Sequence, residues 1–307
     1  MINSTSLFLE KYNIKNKKVS IGFSTGPDSC ALALVLNELK DKFNLKLTLC
    51  YFNHGWRKEA LNEEEFTKDF AKKIGADFVI DRAQNLEKTE EAAREARYQF
   101  FEKLNSDCIF LAHNKNDNVE TIVYRIIKGT SIKGIRAIQE KRDIFYRPFL
   151  DIEKDEILKF LKEKKQKYMV DSSNDEIKYK RNYIRHKILP LFEKVNPNYL
   201  NSISNFSNMC TQAQKIIDDK INELEIDMIK DGIINKNKYK NLDISYRLEI
   251  LNDYLGQKLK YRDYKTIKKL DDFIMNNVTS TTSLNSTEFL KVRKNKIYIS
   301  TEKGYEI

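Results

Sequence analysis

Along the first half of the chain, short apolar, β-rich runs alternate with longer stretches in which apolar residues recur every three or four positions. The runs fall at 19–23, 47–52, 78–80 and 108–112, with a further one at 144–149. The helical stretches fall at 30–39, 63–74, 89–104, 119–128 and 151–164. This alternation predicts a doubly wound α/β fold, with a mostly parallel sheet covered by helices on both faces. Ligands of such sheets bind at the carboxyl ends of the strands. The turn at Ser24, the Asn53-His54 segment and the Ala112-His113 segment each follow a strand, so they are expected to converge on one crevice.

After Asn196-Pro197 the texture changes. Helical patterns run over 199–230, 244–254 and 264–276, and two alternating runs, 288–292 and 296–300, are joined by Arg293-Lys294-Asn295 as in a β-hairpin. The expected domains are 1–192 and a smaller, mostly helical 193–307 ending in that hairpin.

Composition narrows the function classes. Charged residues make up 33% of the 307 and hydrophobic ones 41%, as in a globular chain. No apolar run approaches the ~20 residues of a membrane span. Residues 1–18 lack the apolar core and cleavage site of a signal peptide, so a cytoplasmic location is expected. Cys30, Cys50, Cys108 and Cys210 form no CxxC pair, which argues against zinc ribbons and thioredoxin-type chemistry. The net charge of +10 suits a polyanionic partner, nucleic acid first among them.

Five segments carry candidate chemistry. Ser24-Thr25-Gly26-Pro27-Asp28-Ser29 stands where a strand gives way to a helix, and its unpaired N–H groups and the helix dipole suit a phosphate. It has neither the lysine of a Walker loop nor the three glycines of a dinucleotide fingerprint. His113, Asp117 and Glu120 share a helix face just after a strand and suit a magnesium ion and a nucleotide phosphate. His54 and Arg57 flank Gly55-Trp56, where they suit a phosphate or substrate, whereas Trp56 reads as packing. Arg94 and Arg97 on one helix, and Arg181, Asn182, Arg185 and His186 after Asp171-Ser172-Ser173-Asn174, suit RNA phosphate or adenylate. Each has a plainer reading, as a helix cap, a solvated face or a hinge.

Taken in order, these segments resemble the tRNA(Ile)-lysidine synthetase family of the N-type ATP pyrophosphatases, the PP-loop superfamily with an adenine nucleotide alpha hydrolase-like fold. The family's Ser-Gly-Gly-x-Asp-Ser is similar to residues Ser24 to Ser29, and its Ala-His-His-x-Asp-Asp-Gln-x-Glu-Thr to Ala112 through Thr121. Its Ala-Arg-x-Ala-Arg-Tyr, Arg-Pro-Leu-Leu and Asp-x-Ser-Asn…Arg-Asn…Arg elements match Ala93 to Tyr98, Arg147 to Leu150, and Asp171 to Asn174 with Arg181, Asn182 and Arg185. The match covers roughly the first 190 residues, and the chain looks like a short form of the family. Thr25 stands for a glycine, Asn114 for a histidine, Asn116 for an aspartate and Asn118 for a glutamine.

The resemblance implies a ligase that uses ATP to join free L-lysine to carbon 2 of the wobble cytidine in the CAU anticodon of tRNA(Ile). It implies ATP on Ser24 to Ser29 and Mg2+ on Asp28 and Asp117, with His113 and Glu120 positioning groups or moving protons. It also implies tRNA or substrate contact by His54, Arg57, Arg94, Arg97, Asn174, Arg181, Asn182 and Arg185, and a tRNA grip from Lys236, Lys238, Lys240, Arg293, Lys294 and Lys296. No membrane partner is expected, and a homodimer is compatible with it. The alternatives are another PP-loop tRNA-modifying enzyme and an RNA-binding relative with weakened catalysis.

Overall fold

A computed structural model describes residues 1–56, 60–83, 86–136, 138–170, 180–259 and 263–301. Arg57 and Asn174 lie outside the described residues. The chain divides into two compact units, Met1–Thr211 and Gln212–Ile307.

The first unit opens with helix α1 (Ile2–Lys11), then β1 (Lys18–Gly22), α2 (Pro27–Phe43), β2 (Lys46–Asn53), α3 (Ala60–Ile74), β3 (Asp77–Arg82) and α4 (Glu90–Glu102). It continues through β4 (Cys108–Phe110), α5 (Lys115–Lys128), α6 (Ile132–Ile135), β5 (Lys141–Arg142), β6 (Phe145–Tyr146), α7 (Lys154–Glu163), α8 (Lys180–Tyr183) and α9 (Leu189–Val195). Helix α10 (Tyr199–Met228) contains the division between the units. The sheet runs β3-β2-β1-β4-β6-β5, parallel except for β5. The alternation read from the sequence is therefore realised. Val19, Ile21, Leu47, Leu49 and Phe110 of the sheet pack with Leu32, Val35 and Leu36 of α2 in one buried core.

Chain order reverses between β1 and β4: from β1 the strands proceed outward to β2 and β3, then return to β4 on the other side. A crevice opens at the carboxyl ends of two such diverging strands. The segments that follow β1 and β4 are Ser24 to Ser29 and Ala112 to Asn114, so topology alone brings them together.

Three elements differ from the sequence reading. Residues 1–18 contain α1, which buries Thr5, Phe8 and Leu9; its polar Asn, Ser and Thr positions obscure the helical period. The run 144–149 pairs only through Phe145 and Tyr146; Pro148, just beyond, has no N–H for the ladder, and the Arg147 side chain donates to the Gln139 carbonyl at 2.9 Å. The stretch 182–191, for which the sequence predicts no element, is helical but not one regular helix. A π-helical turn, Ile184–Ile188, separates α8 from α9, where Pro190 lacks the N–H that would continue the α ladder.

The second unit contains β7 (Ile229–Lys230), β8 (Ile233–Asn235), α11 (Lys236–Lys240), α12 (Ile244–Leu255), α13 (Tyr264–Asn276), β9 (Thr279–Ser283), β10 (Phe289–Arg293) and β11 (Lys296–Ser300). The expected hairpin is β10–β11, turning at Lys294 with φ +45°. It extends into an antiparallel sheet β7-β8-β11-β10-β9, in which β9, with the sequence Thr-Ser-Thr-Thr-Ser, is one edge strand. Arg247 donates to both oxygens of buried Asp271 at 3.0 and 3.1 Å, and Tyr239 adds a third hydrogen bond at 2.8 Å. Lys236 is buried with its ammonium on the Asn277 carbonyl, so it braces this unit instead of facing a partner. Lys240, Lys294 and Lys296 are exposed.

Candidate active site

The turn after β1 is organised by its own side chains. Ser29 Oγ accepts the Ser24 N–H at 3.2 Å and donates to the Gly26 carbonyl at 3.0 Å. Pro27 sits in the first turn of α2, where a missing N–H costs nothing, and Gly26 is the N-cap. The left-handed residue is Thr25, with φ +61° at 1% exposure. A β-branched residue is strained there. Contacts on both sides hold it: its hydroxyl donates to the Ser24 carbonyl at 2.6 Å, and its carbonyl accepts the Met169 N–H at 2.9 Å.

The start of α5 faces this turn. Asn114 is its N-cap: Oδ1 accepts the Asp117 N–H at 3.0 Å, and Asp117 Oδ2 accepts the Asn114 N–H at 3.1 Å. The amide of Asn114 also donates to Asp28 Oδ1 at 3.0 Å. One asparagine thus ties the two carboxylates the sequence singled out. Burial pushes the Asp28 carboxyl above its ordinary range and the Asp117 charge adds to this, while Lys154, 2.6 Å from Oδ2, and Asn114 oppose them. Two carboxylates held by one asparagine fit a divalent cation that completes its shell with phosphate and water.

Asn116 and Asn118 do backbone work. Asn116 Oδ1 accepts the Lys154 N–H at 2.9 Å, and buried Asn118 accepts the Ile138 N–H at 2.7 Å. Either role needs only a side-chain oxygen, which aspartate and glutamine also supply.

One turn further along α5, Glu120 is buried and accepts from Arg185 Nε at 2.6 Å and Nη2 at 2.9 Å. Arg185 also reaches Asp117 Oδ1 at 3.2 Å, so one guanidinium spans both acids. It is placed by the π-helical turn. Burial raises the Glu120 carboxyl, Arg185 opposes that, and Asp117 adds to it.

These groups line a cavity of about 1250 Å³ whose far side is cationic. Arg94 and Arg142 lie 5.0 and 5.3 Å from the ring centre of Tyr98, and Arg147, 4% exposed, donates to its hydroxyl at 3.4 Å. Burial alone would raise the Tyr98 phenol, but the charges of Arg94, Arg147 and Arg142 hold it below its ordinary value. His113 lines the same cavity near the arginines. Its Nδ1 is buried without a hydrogen-bond partner among the described residues. Burial, then Arg147, Arg97, Arg94 and Arg181, push its pKa down to about 3, so the imidazole is neutral near pH 7.

The cavity brings together Ser24 to Asp28, His113, Asp117, Glu120, Arg94, Arg97, Arg181, Asn182 and Arg185. Ser29 lies behind its wall, bracing the turn. His54 is not among the lining residues; its ring packs 5.3 Å from Trp56 and 5.0 Å from Phe52. Sequence reasoning missed Lys154, Arg142 and Glu63, all in the wall. Glu63 and Lys154 sit in helices rich in charge, where no local pattern separates a buried or inward-facing group from solvated neighbours.

A family model for the PP-loop domain matches residues 3–192. The tRNA(Ile)-lysidine synthase of Thermosipho africanus is 32% identical over 227 residues, covering 70% of this chain and 53% of that protein. The protein of the same name from Clostridium tetani is 38% identical over 209 residues, covering 63% and 45%. The chain thus spans about half the length of the curated relatives it matches. Among solved structures, the U34-tRNA thiolase NcsA from Methanococcus maripaludis, with its [4Fe-4S] cluster, superposes with a TM-score of 0.53 at 20% identity, covering 66% of this chain and 72% of that one. That likeness is one of fold. The ordered turn, the capped acidic pair facing it and the match across 3–192 agree: the chain belongs to the PP-loop domain family.

Proposed function

We propose that this chain ligates free lysine to carbon 2 of the wobble cytidine in the CAU anticodon of tRNA(Ile), through an adenylated base. The observation that carries the reading is the single cavity with two charge characters. A phosphate turn and an acidic pair, linked by Asn114, lie at one side, and an arginine-lined wall lies at the other. The relatives named tRNA(Ile)-lysidine synthase give the chemistry its substrate class.

In this reading the cytidine O2 attacks the α-phosphorus of ATP, and pyrophosphate leaves. The lysine amine, having lost a proton, attacks carbon 2, and AMP departs with O2. The N–H groups at the start of α2 hold the departing pyrophosphate. A magnesium ion on Asp28 and Asp117 would offset its charge. Glu120, whose affinity for a proton is raised by burial, receives the ammonium or its proton. His113 is too weakly basic for that task and positions substrate as a neutral imidazole. Arg94, Arg97, Arg181 and Arg185 meet RNA phosphate or adenylate, and the exposed Lys240, Lys294 and Lys296 grip the tRNA.

The test is incorporation of labelled lysine into tRNA(Ile) transcripts with ATP and magnesium, scored for AMP and pyrophosphate in equal amounts. Pyrophosphate release without lysine incorporation points to another PP-loop modification. Tight tRNA binding with no ATP turnover points to a binding protein.

A further inference from the structure

The turn from Ser24 to Ser29 contains no lysine, yet a lysine reaches it from 126 residues away. Lys154 is the first residue of α7, behind a capping box formed by Glu153 and Glu156. Its backbone N–H is held by Asn116 Oδ1 at 2.9 Å, and its Nζ lies 2.6 Å from Asp28 Oδ2 in the cavity wall. Both ends of the residue are therefore fixed against the nucleotide side of the cavity. The pair is half-buried, with its side chains 32% and 27% exposed, so the ammonium stays open to the cavity that it lines.

We infer that Lys154 is the phosphate-binding lysine of this site. It stands where a Walker lysine would act but is delivered by a different helix. As the chain stands, it pairs with Asp28. When a polyphosphate occupies the turn, the ammonium donates to a phosphate oxygen, and Asp28 is released to a cation. The inference rests on reading the turn as a nucleotide-phosphate site.

Isothermal titration with inorganic pyrophosphate and with ATP, without and with magnesium, tests it on the wild type, Lys154→Met, Lys154→Arg, Asp28→Asn and the Asp28→Asn/Lys154→Met double variant. Thermal unfolding confirms that each is folded. Lys154→Met is expected to weaken pyrophosphate binding about tenfold or more, as for loss of a charge-assisted hydrogen bond, and Lys154→Arg to restore most of it. The loss should persist in the Asp28→Asn background, where there is no carboxylate left to neutralise. Unchanged binding by Lys154→Met, or a loss that vanishes in that background, overturns the inference while leaving the nucleotide site in place. A wild-type chain that binds neither ligand overturns the nucleotide reading itself.

Discussion

Asn114 donates its side-chain amide to Asp28 at 3.0 Å, which joins the start of α5 to the start of α2. Asn114→Asp keeps a capping oxygen but sets a third carboxylate against Asp28 and Asp117. ATP-dependent pyrophosphate release is expected to fall at least about tenfold, since like charges at that spacing disfavour the ionised pair. Asn114→His, the residue of the resembling family here, should retain turnover. Steady-state rates decide, and an active Asn114→Asp chain would show that the link is dispensable.

At Thr25 the comparison of interest is Gly against Ala. Both remove the hydroxyl and its bond to Ser24, but only glycine relieves φ +61°. Thr25→Gly should exceed Thr25→Ala in stability by about 1 kcal/mol. Urea unfolding measures the difference, and equal stabilities would mean that no strain is held at this position.

Two hydrogen bonds from one guanidinium tie Arg185 to the buried Glu120 carboxylate. Arg185→Met is expected to destabilise the fold by about 1–3 kcal/mol, below the range for a fully buried pair because Arg185 is partly exposed. Glu120, already raised by burial, is raised further without its partner. A raised carboxyl favours the folded state at low pH and loses that advantage as pH rises through its folded pKa. The deficit should therefore grow with pH, and Glu120→Gln added to Arg185→Met should remove most of it. Denaturant curves across pH test this, and a deficit independent of pH would rule it out.

His113 makes the opposite contribution. Its folded pKa of about 3 lies below the ordinary 6.5, so between these values the unfolded chain binds a proton that the folded chain refuses. Its share of stability is complete above 6.5 and is lost as pH falls toward 3. His113→Asn, which cannot titrate, should flatten the pH dependence of unfolding by up to one proton in this window. Parallel curves for wild type and variant would contradict the assignment.

In the second unit, Lys294→Glu with Lys296→Glu reverses two exposed charges at the hairpin. Binding to tRNA is expected to weaken and its salt dependence to flatten, by about one unit of slope for each phosphate no longer neutralised. Filter binding over a range of salt concentrations measures both. No change in either would take the hairpin off the RNA surface.

Much of this was legible in the sequence for a physical reason. Strands buried on both faces are written as unbroken apolar runs, and the turn chemistry at Ser24 and the spacing of His113, Asp117 and Glu120 are local. What stayed hidden was long-range or cooperative. The inward turn of Arg147 and the approach of Lys154 to Asp28 depend on tertiary placement. The π-helical turn that aims Arg185 follows from a missing donor at Pro190, which marks a break but not its shape. The left-handed backbone at Thr25 was foreseeable because a glycine is the residue expected there.

The reversal of strand order between β1 and β4 also bears on how the site comes into being. Asp28 meets Asn114 across 86 residues and Lys154 across 126, and Glu120 meets Arg185 across 65. Such separations raise the loop-closure entropy that these contacts must overcome. No fragment that stops short of α7 contains the pocket. A chain emerging during synthesis therefore completes this cavity late, only after α7 and the helices that follow it have been made.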